Sequence, residues 1–372
     1  MKNKKIILIS IFLLSLCSLP FSCKKKKEVK FNRVELLTNI STSIILPSYY
    51  TLKVETSELS TAANNFVSNP TNTTLDELQN AWKEASTAWK KCETFTFGFA
   101  GDNMLTEQLD AWPTNPSVIE TEVNGTTPIT EAYISTTGTT RKGFPAIEYL
   151  IFSASGNTAV LNNYTSNTNY NRRREYLKAL TEDIKTKANQ CFFSWDINGA
   201  NYSSTFISNA SDDAGSSTTL LLNAMVQNLE VIKNDKIGIP SGTKTNGIVH
   251  PELAEATLSQ MSISHINANL TALENLYLGK SNGVDGIGFD DYLTFVKAEY
   301  EGQALADVIK LQFIKCYIAL SVLTPPLETS LTNEKANVDA VYLELKKLVV
   351  LMKLDMPSQL GILITFSDND GD

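Results

Sequence analysis

Leu78, Trp82, Ala85, Trp89 and Cys92 are spaced four, three, four and three residues apart, which places five apolar side chains on one side of a helix. The turn Asn69-Pro70-Thr71-Asn72 precedes it, and Thr74-Leu75-Asp76-Glu77 reads as a capping box that opens it. Gly98 and Gly101 end it. Upstream, Ile40, Ile44, Leu46 and Tyr50 lie near helical spacing within residues 31–68, and Pro47 predicts a kink or a break there. Residues 113–140, rich in Thr and Pro, read as a loop. A short apolar helix follows over 144–152, then a longer one over 172–195 with Tyr176, Leu180, Ile184 and Cys191 as its inner face. Residues 196–217, rich in Ser, Asn, Asp and Gly, read as a second long loop. Beyond it, helical patterns run over about 218–235, 251–279, 289–323 and 327–355, separated by Gly and Pro clusters. The one β-like run is ILITF at 362–366. The reading is all-α: two packed four-helix bundles, 31–200 and 215–357, with a tail over 358–372.

The first residues read as an address. Lys2, Lys4 and Lys5 precede an apolar run over 6–16, the layout of a secretory signal. Cys23 follows Ser22, whereas Cys17 follows Leu16, so Cys23 is the better lipidation site, because a small residue fits the peptidase pocket before it. Residues 1–22 are then a lipoprotein signal and 23–30 a basic tether, with Lys24, Lys25, Lys26 and Lys27 suited to an anionic membrane surface. The alternative is a soluble secreted protein cleaved nearby. A lipid anchor at Cys23 implies the cell envelope, and the basic tether favours the outer membrane, facing the periplasm.

Charge narrows the function. The 372 residues hold 32 Lys and Arg against 40 Asp and Glu, and past residue 30 the balance is 24 to 39. So acidic a body counts against a phosphate-neutralising nucleic-acid binder. Cys92, Cys191 and Cys316 are far apart in apolar helical patterns with no CxxC pair, and read as buried free thiols. HExxH and GxSxG are absent. His250 and His265 are 15 positions apart. On one continuous helix they would be about 22 Å apart, too far to share an ion, and each reads as a surface or capping residue.

Four stretches together resemble the imelysin-like family of bacterial envelope lipoproteins. They are residues 82–98 (WKEASTAWKKCETFTFG), Asp110-Ala111-Trp112-Pro113, Gly143-Phe144-Pro145-Ala146-Ile147-Glu148-Tyr149-Leu150, and Lys236-Ile237-Gly238-Ile239-Pro240 following Glu230. The resemblance implies two four-helix bundles with a functional site in the cleft between them. It also implies a link to iron-regulated uptake, an older name as an insulin-cleaving protease, and iron or another divalent cation as cofactor. The family signature is Gly-x-His-x-x-Glu. Here Gly143 and Glu148 match it, but Pro145 stands at the His position. A His and a Glu three apart on a helix can grip one cation, whereas Pro only starts the helix well. The resemblance makes Glu148, Glu93 and Asp110 the metal candidates, with Lys90 one turn before Glu93 as a competing partner. It adds Trp112, Arg141 and Glu255 as cleft candidates.

Each has a structural counterpart. Glu148 sits among apolar residues, so it either lines a cleft or is buried with Arg141, Lys142 or an Arg of 172–174 as partner. Asp110 either caps its turn or faces the cleft, Trp112 reads as packing, and Glu255 as solvated surface. The functional expectation is a non-catalytic envelope protein whose acidic cleft holds a metal, a chelate or a peptide. The alternatives are a metallopeptidase and a scaffold with a vestigial site.

Overall fold

The structure, a computed structural model, describes residues 30–365. The signal segment, Cys23, Lys24 to Lys27 and the end of the tail lie outside the described residues. In the first half, α1 (Arg33–Asn39) passes through a π turn (Ile40–Ile45) into α2 (Leu46–Ser68). There follow α3 (Asn72–Cys92), α4 (Phe99–Asp102), α5 (Leu105–Asp110), α6 (Pro116–Asn124), α7 (Glu131–Thr136), α8 (Gly143–Ile151), α9 (Asn157–Thr165) and α10 (Tyr170–Trp195). The second half runs through α11 (Tyr202–Ser208), α12 (Ser217–Val231), a π turn (Ile232–Gly238), α13 (Ser262–Leu278) and α14 (Phe289–Val296). A two-residue hairpin, β1 (Glu299–Tyr300) and β2 (Gln303–Ala304), leads to α15 (Leu305–Ser321), α16 (Leu327–Asn333), α17 (Lys335–Val350) and α18 (Met356–Leu360). The all-α reading holds.

Helix α2 lies between α3 and α10, and α10 also packs on α7, α8 and α9. In the second half α13 packs on α14 and α15, α15 on α17, and α12 on both α13 and α17. The halves meet where α3 packs against α13. The stripe Leu78, Trp82, Ala85, Trp89 and Cys92 is buried, as are Tyr176, Leu180, Ile184 and Cys191. Burial of each large apolar side chain contributes about 1.5–3 kcal/mol, so these two faces fix where α3 and α10 sit. The three cysteines within the described residues are free and buried.

Several expectations are corrected. The cap of α3 is Thr71, whose Oγ1 accepts the Thr74 N–H (3.2 Å) while Thr74 Oγ1 accepts the Thr71 N–H (3.1 Å). Thr71 follows Pro70 in the extended conformation that an N-cap needs, which moves the start three residues upstream. Pro47 does not break its helix. The π turn just before it widens the carbonyl ladder, so the missing N–H and the ring fit at the start of α2. The widened turn also shifts the inner face by one residue: Tyr49 is 1 % exposed and Tyr50 is 55 % exposed.

The loop expected over 113–140 contains α6 and α7, and the one over 196–217 contains α11. The pattern over 251–279 is α-helical only from Ser262 onward, because Ala256 and Gln260 have positive φ, which an α-helix cannot accommodate. The pattern over 289–323 is cut at Lys297, also at positive φ, and continues after the hairpin. Residues 362–365 form no strand.

Candidate functional site

Lys90 and Glu93 stand three apart at the end of α3 and share a face, while Asp110 is the last residue of α5. Asp110 is held in place by α8. Gly143 starts α8 at φ +78°, and a Cβ there would lie 2.3 Å from the Leu109 carbonyl oxygen, so only glycine lets α8 approach α5 this closely. The second half brings four more polar groups. Lys236 comes from the π turn after α12, Glu255 from the turns before α13, and His265 and Asn269 from one side of α13. None of these seven side chains is more than 4 % exposed.

The Lys90 ammonium contacts Asp110 Oδ2 and Glu255 Oε1 and lies 3.4 Å from Glu93 Oε1. The Lys236 ammonium lies 3.1 Å from Glu93 Oε2, 3.2 Å from Glu255 Oε2 and 2.7 Å from Asn269 Oδ1. Asn269 Nδ2 donates to Glu93 Oε2 (2.7 Å) and to the Lys90 carbonyl (2.8 Å), so one carboxamide joins α13 to the end of α3. Trp89 Nε1 donates to Asp110 Oδ2 at 3.1 Å. The Trp112 ring centre lies 5.7 Å from the Lys90 nitrogen and 5.4 Å from that of Lys236, within cation–π range of both. His265 Nε2 pairs with Ser86 Oγ at 3.1 Å, and its Nδ1 is 3.7 Å from Glu255 Oε2.

These groups set one another's ionisation. Burial alone would raise the Glu93 and Glu255 carboxyls. Lys236 and Lys90 outweigh it and hold Glu93 below, and Glu255 well below, the usual carboxylate range. Burial draws Lys90 below the usual lysine range against the pull of Glu255 and Glu93, whereas those two carboxylates raise Lys236 despite burial. Burial lowers His265, which keeps its imidazole neutral. Three carboxyl groups thus surround two ammonium groups in the place where a cation would sit. An entering metal would have to displace a buried lysine, so with both lysines present this donor set does not fit a divalent ion. Among the described residues, no group of three or more His, Cys, Asp or Glu side chains is arranged to hold a metal.

The sequence-derived candidates divide. Glu93, Asp110 and Glu255 converge, with Trp112 over their lysine partners. Glu255 is therefore buried rather than solvated surface, and Asp110 faces the cluster. Glu148 stands apart: its Oε1 accepts the Ser259 N–H at 2.7 Å, tying α8 to the turns that carry Glu255. The expected cationic partner is missing, because Arg141 pairs with Glu122, Arg173 with Glu120, and Lys142 donates to the Ser135 carbonyl. Burial raises the Glu148 carboxyl to about 7, so a large share of it is uncharged at neutral pH, which lowers the cost of burying it without an ion pair. Pro145 is buried in the first turn of α8 and acts as a helix starter. His250 is partly exposed beside Glu252, but His265, expected at the surface or as a cap, is in the core. Sequence reasoning missed His265 and Asn269 as members of the cluster. Lys236 lay inside a quoted motif, but its charge was not used.

A cavity of about 320 Å³ opens beside the cluster, with Glu93, Thr96, Glu107, Gln227 and Asn228 in its wall. Asn228 is buried and its Oδ1 has no hydrogen-bond partner. An acceptor left unpaired inside the protein costs free energy.

Comparison with known proteins places this chain in a family. Iron-regulated protein A of Synechococcus elongatus is 25 % identical over 303 residues, covering 79 % of this chain and 77 % of the relative. Two crystal structures share the fold at a TM-score of 0.72. An imelysin-like protein of Psychrobacter arcticum, 17 % identical, covers 91 % of this chain and 99 % of its own. A Parabacteroides distasonis protein described as an iron-regulated protein A precursor, 16 % identical, covers 90 % and 97 %. The imelysin family model, Peptidase_M75, matches residues 45–352, which include every member of the buried cluster. With so much of its length matched, this chain belongs to the imelysin family.

Proposed function

We propose that this chain is a non-catalytic binding protein of the cell envelope, connected with iron supply, whose ligand enters the cavity at Glu93. The observation that carries the reading is the position of the Lys90 and Lys236 ammonium groups among Glu93, Asp110 and Glu255. A bare cation meets carboxylates that are already neutralised, and a displaced buried lysine would be left unpaired at a cost of several kcal/mol. The cavity wall instead holds the Glu107 carboxylate with the neutral polar groups of Thr96 and Gln227, which suit a ligand with ammonium or N–H donors, such as a peptide or an amine-bearing chelate.

Hydrolysis would need an activated water beside a general base. Glu148 instead takes a backbone N–H, and Pro145 stands where the family signature has His. The connection with iron rests on the name of the Synechococcus relative, and the envelope location on the signal segment and Cys23.

Titration calorimetry of the purified chain with ferrous, ferric, zinc and calcium ions should give no saturable heat. Saturable binding that Glu93→Gln abolishes would overturn the proposal. Cys23→Ser should move the chain from the membrane fraction to the soluble fraction of cells, and an unchanged membrane fraction would rule out the anchor.

A further inference from the structure

We propose that a second cavity, between the first π turn, the end of α3 and the turn after α13, binds a small phosphate ester of a hydroxyl-bearing molecule. It measures about 220 Å³, and no carboxylate lines it, although the chain past residue 30 is strongly acidic. Its wall includes Ser43, Lys91, Asn275, Lys280, Ser281 and Asn282. Lys91 and Lys280 enter no ion pair within the described residues. Two lysines, two asparagines and hydroxyl residues that include Ser43 and Ser281 therefore line one space, residue types whose donors match an oxyanion and its neighbouring hydroxyls.

The cavity is built from both halves of the molecule, and its loop is fixed. Asn39 Nδ2 donates to the Gly279 carbonyl (2.7 Å) and to the Ile287 carbonyl (3.0 Å), clamping both ends of the turn that carries Lys280, Ser281 and Asn282 onto the N-terminal helix. Gly279 has φ +62°, and a Cβ there would lie 2.2 Å from the Ile287 oxygen, so this approach requires glycine. Ser281 and Val284 bond to each other across the turn through both backbone N–H groups. The π turn after Asn39 presents Ser43 from the other side. A further cavity of about 500 Å³ shares Lys91 and Thr271 in its wall and runs along α13 towards Tyr317. Lys91 is its one charged lining residue, and Thr87, Ser264 and Asn267 add polar neutral groups, which gives room for the uncharged part of the ligand.

Both lysines also stand at helix C-terminal ends, where a cation is favourable in its own right. The test separates the two roles. Glucose 6-phosphate titrated into the purified chain should bind, with glucose as the neutral control showing no binding. In Lys91→Met/Lys280→Met the affinity should fall about tenfold or more. Lys91→Arg/Lys280→Arg should retain it, which guards against a folding defect in the methionine variant. Vesicles of phosphatidylglycerol that compete with glucose 6-phosphate would assign a lipid headgroup as the source of the phosphate, and lack of competition would assign a soluble ester. No binding by the unmodified chain, or equal binding by the methionine variant, overturns the proposal and leaves the lysines as helix-end charges.

Discussion

Glu148 shows how a single residue is read differently in a sequence and in a fold. Among Ala146, Ile147, Leu150 and Ile151 it looked like a carboxylate in need of a cation, and the cation was sought among the nearby arginines. Those arginines have other partners, and the carboxyl is instead raised from 4.5 to about 7 by burial. Because the folded state holds the proton more tightly than the unfolded state, wild-type stability falls as pH rises from about 4.5 to 7, by about 3 kcal/mol for this group, and the loss is complete above that window. Glu148→Gln keeps an oxygen for the Ser259 N–H and carries no titrating proton. Its stability relative to wild type should therefore increase between about pH 5 and pH 8 by up to that amount. Denaturant unfolding at both pH values checks this, and a constant difference would mean that Glu148 does not titrate in that window.

At the scale of elements, α8 is set by its first residue. Gly143→Ala would force a left-handed backbone on alanine and drive its Cβ into the Leu109 carbonyl, so α8 and α5 must separate. The expected loss is on the order of 3 kcal/mol, seen as a lower midpoint of thermal unfolding. A midpoint unchanged within a degree would show that the contact relaxes freely. The helical faces of α3 and α10 were legible because their apolar residues recur at helical spacing. The register past the first π turn was not, because one widened turn moves every later side chain by about a hundred degrees without changing residue types. Likewise, nothing in the composition of 251–261 announced that Ala256 and Gln260 take positive φ.

For the whole molecule, the buried cluster ties the two halves together. Lys236 reaches Glu93 across 143 positions, and Asn269 reaches the Lys90 carbonyl across 179. Lys236→Met would leave Glu93 and Glu255 short of a partner inside the protein, and should cost about 3–5 kcal/mol. Since both halves supply the cluster, the loss should appear as one unfolding transition at lower denaturant, followed in parallel by tryptophan fluorescence and circular dichroism. Two separated transitions would mean that the halves unfold independently.

The amino-acid order alone determined the all-α class, the buried faces of α3 and α10, the family resemblance and the presence of Glu93, Asp110 and Glu148 in motifs. These depend on spacings of three, four and seven residues, which a helix converts directly into shared faces. Only the tertiary structure decided that Lys90 and Lys236 occupy the middle of the acidic cluster, that Glu255, His265 and Asn269 complete it, and that Glu148 stays outside. Electrostatic pairing depends on distance in space, and here the chain returns to α3 only after more than a hundred residues.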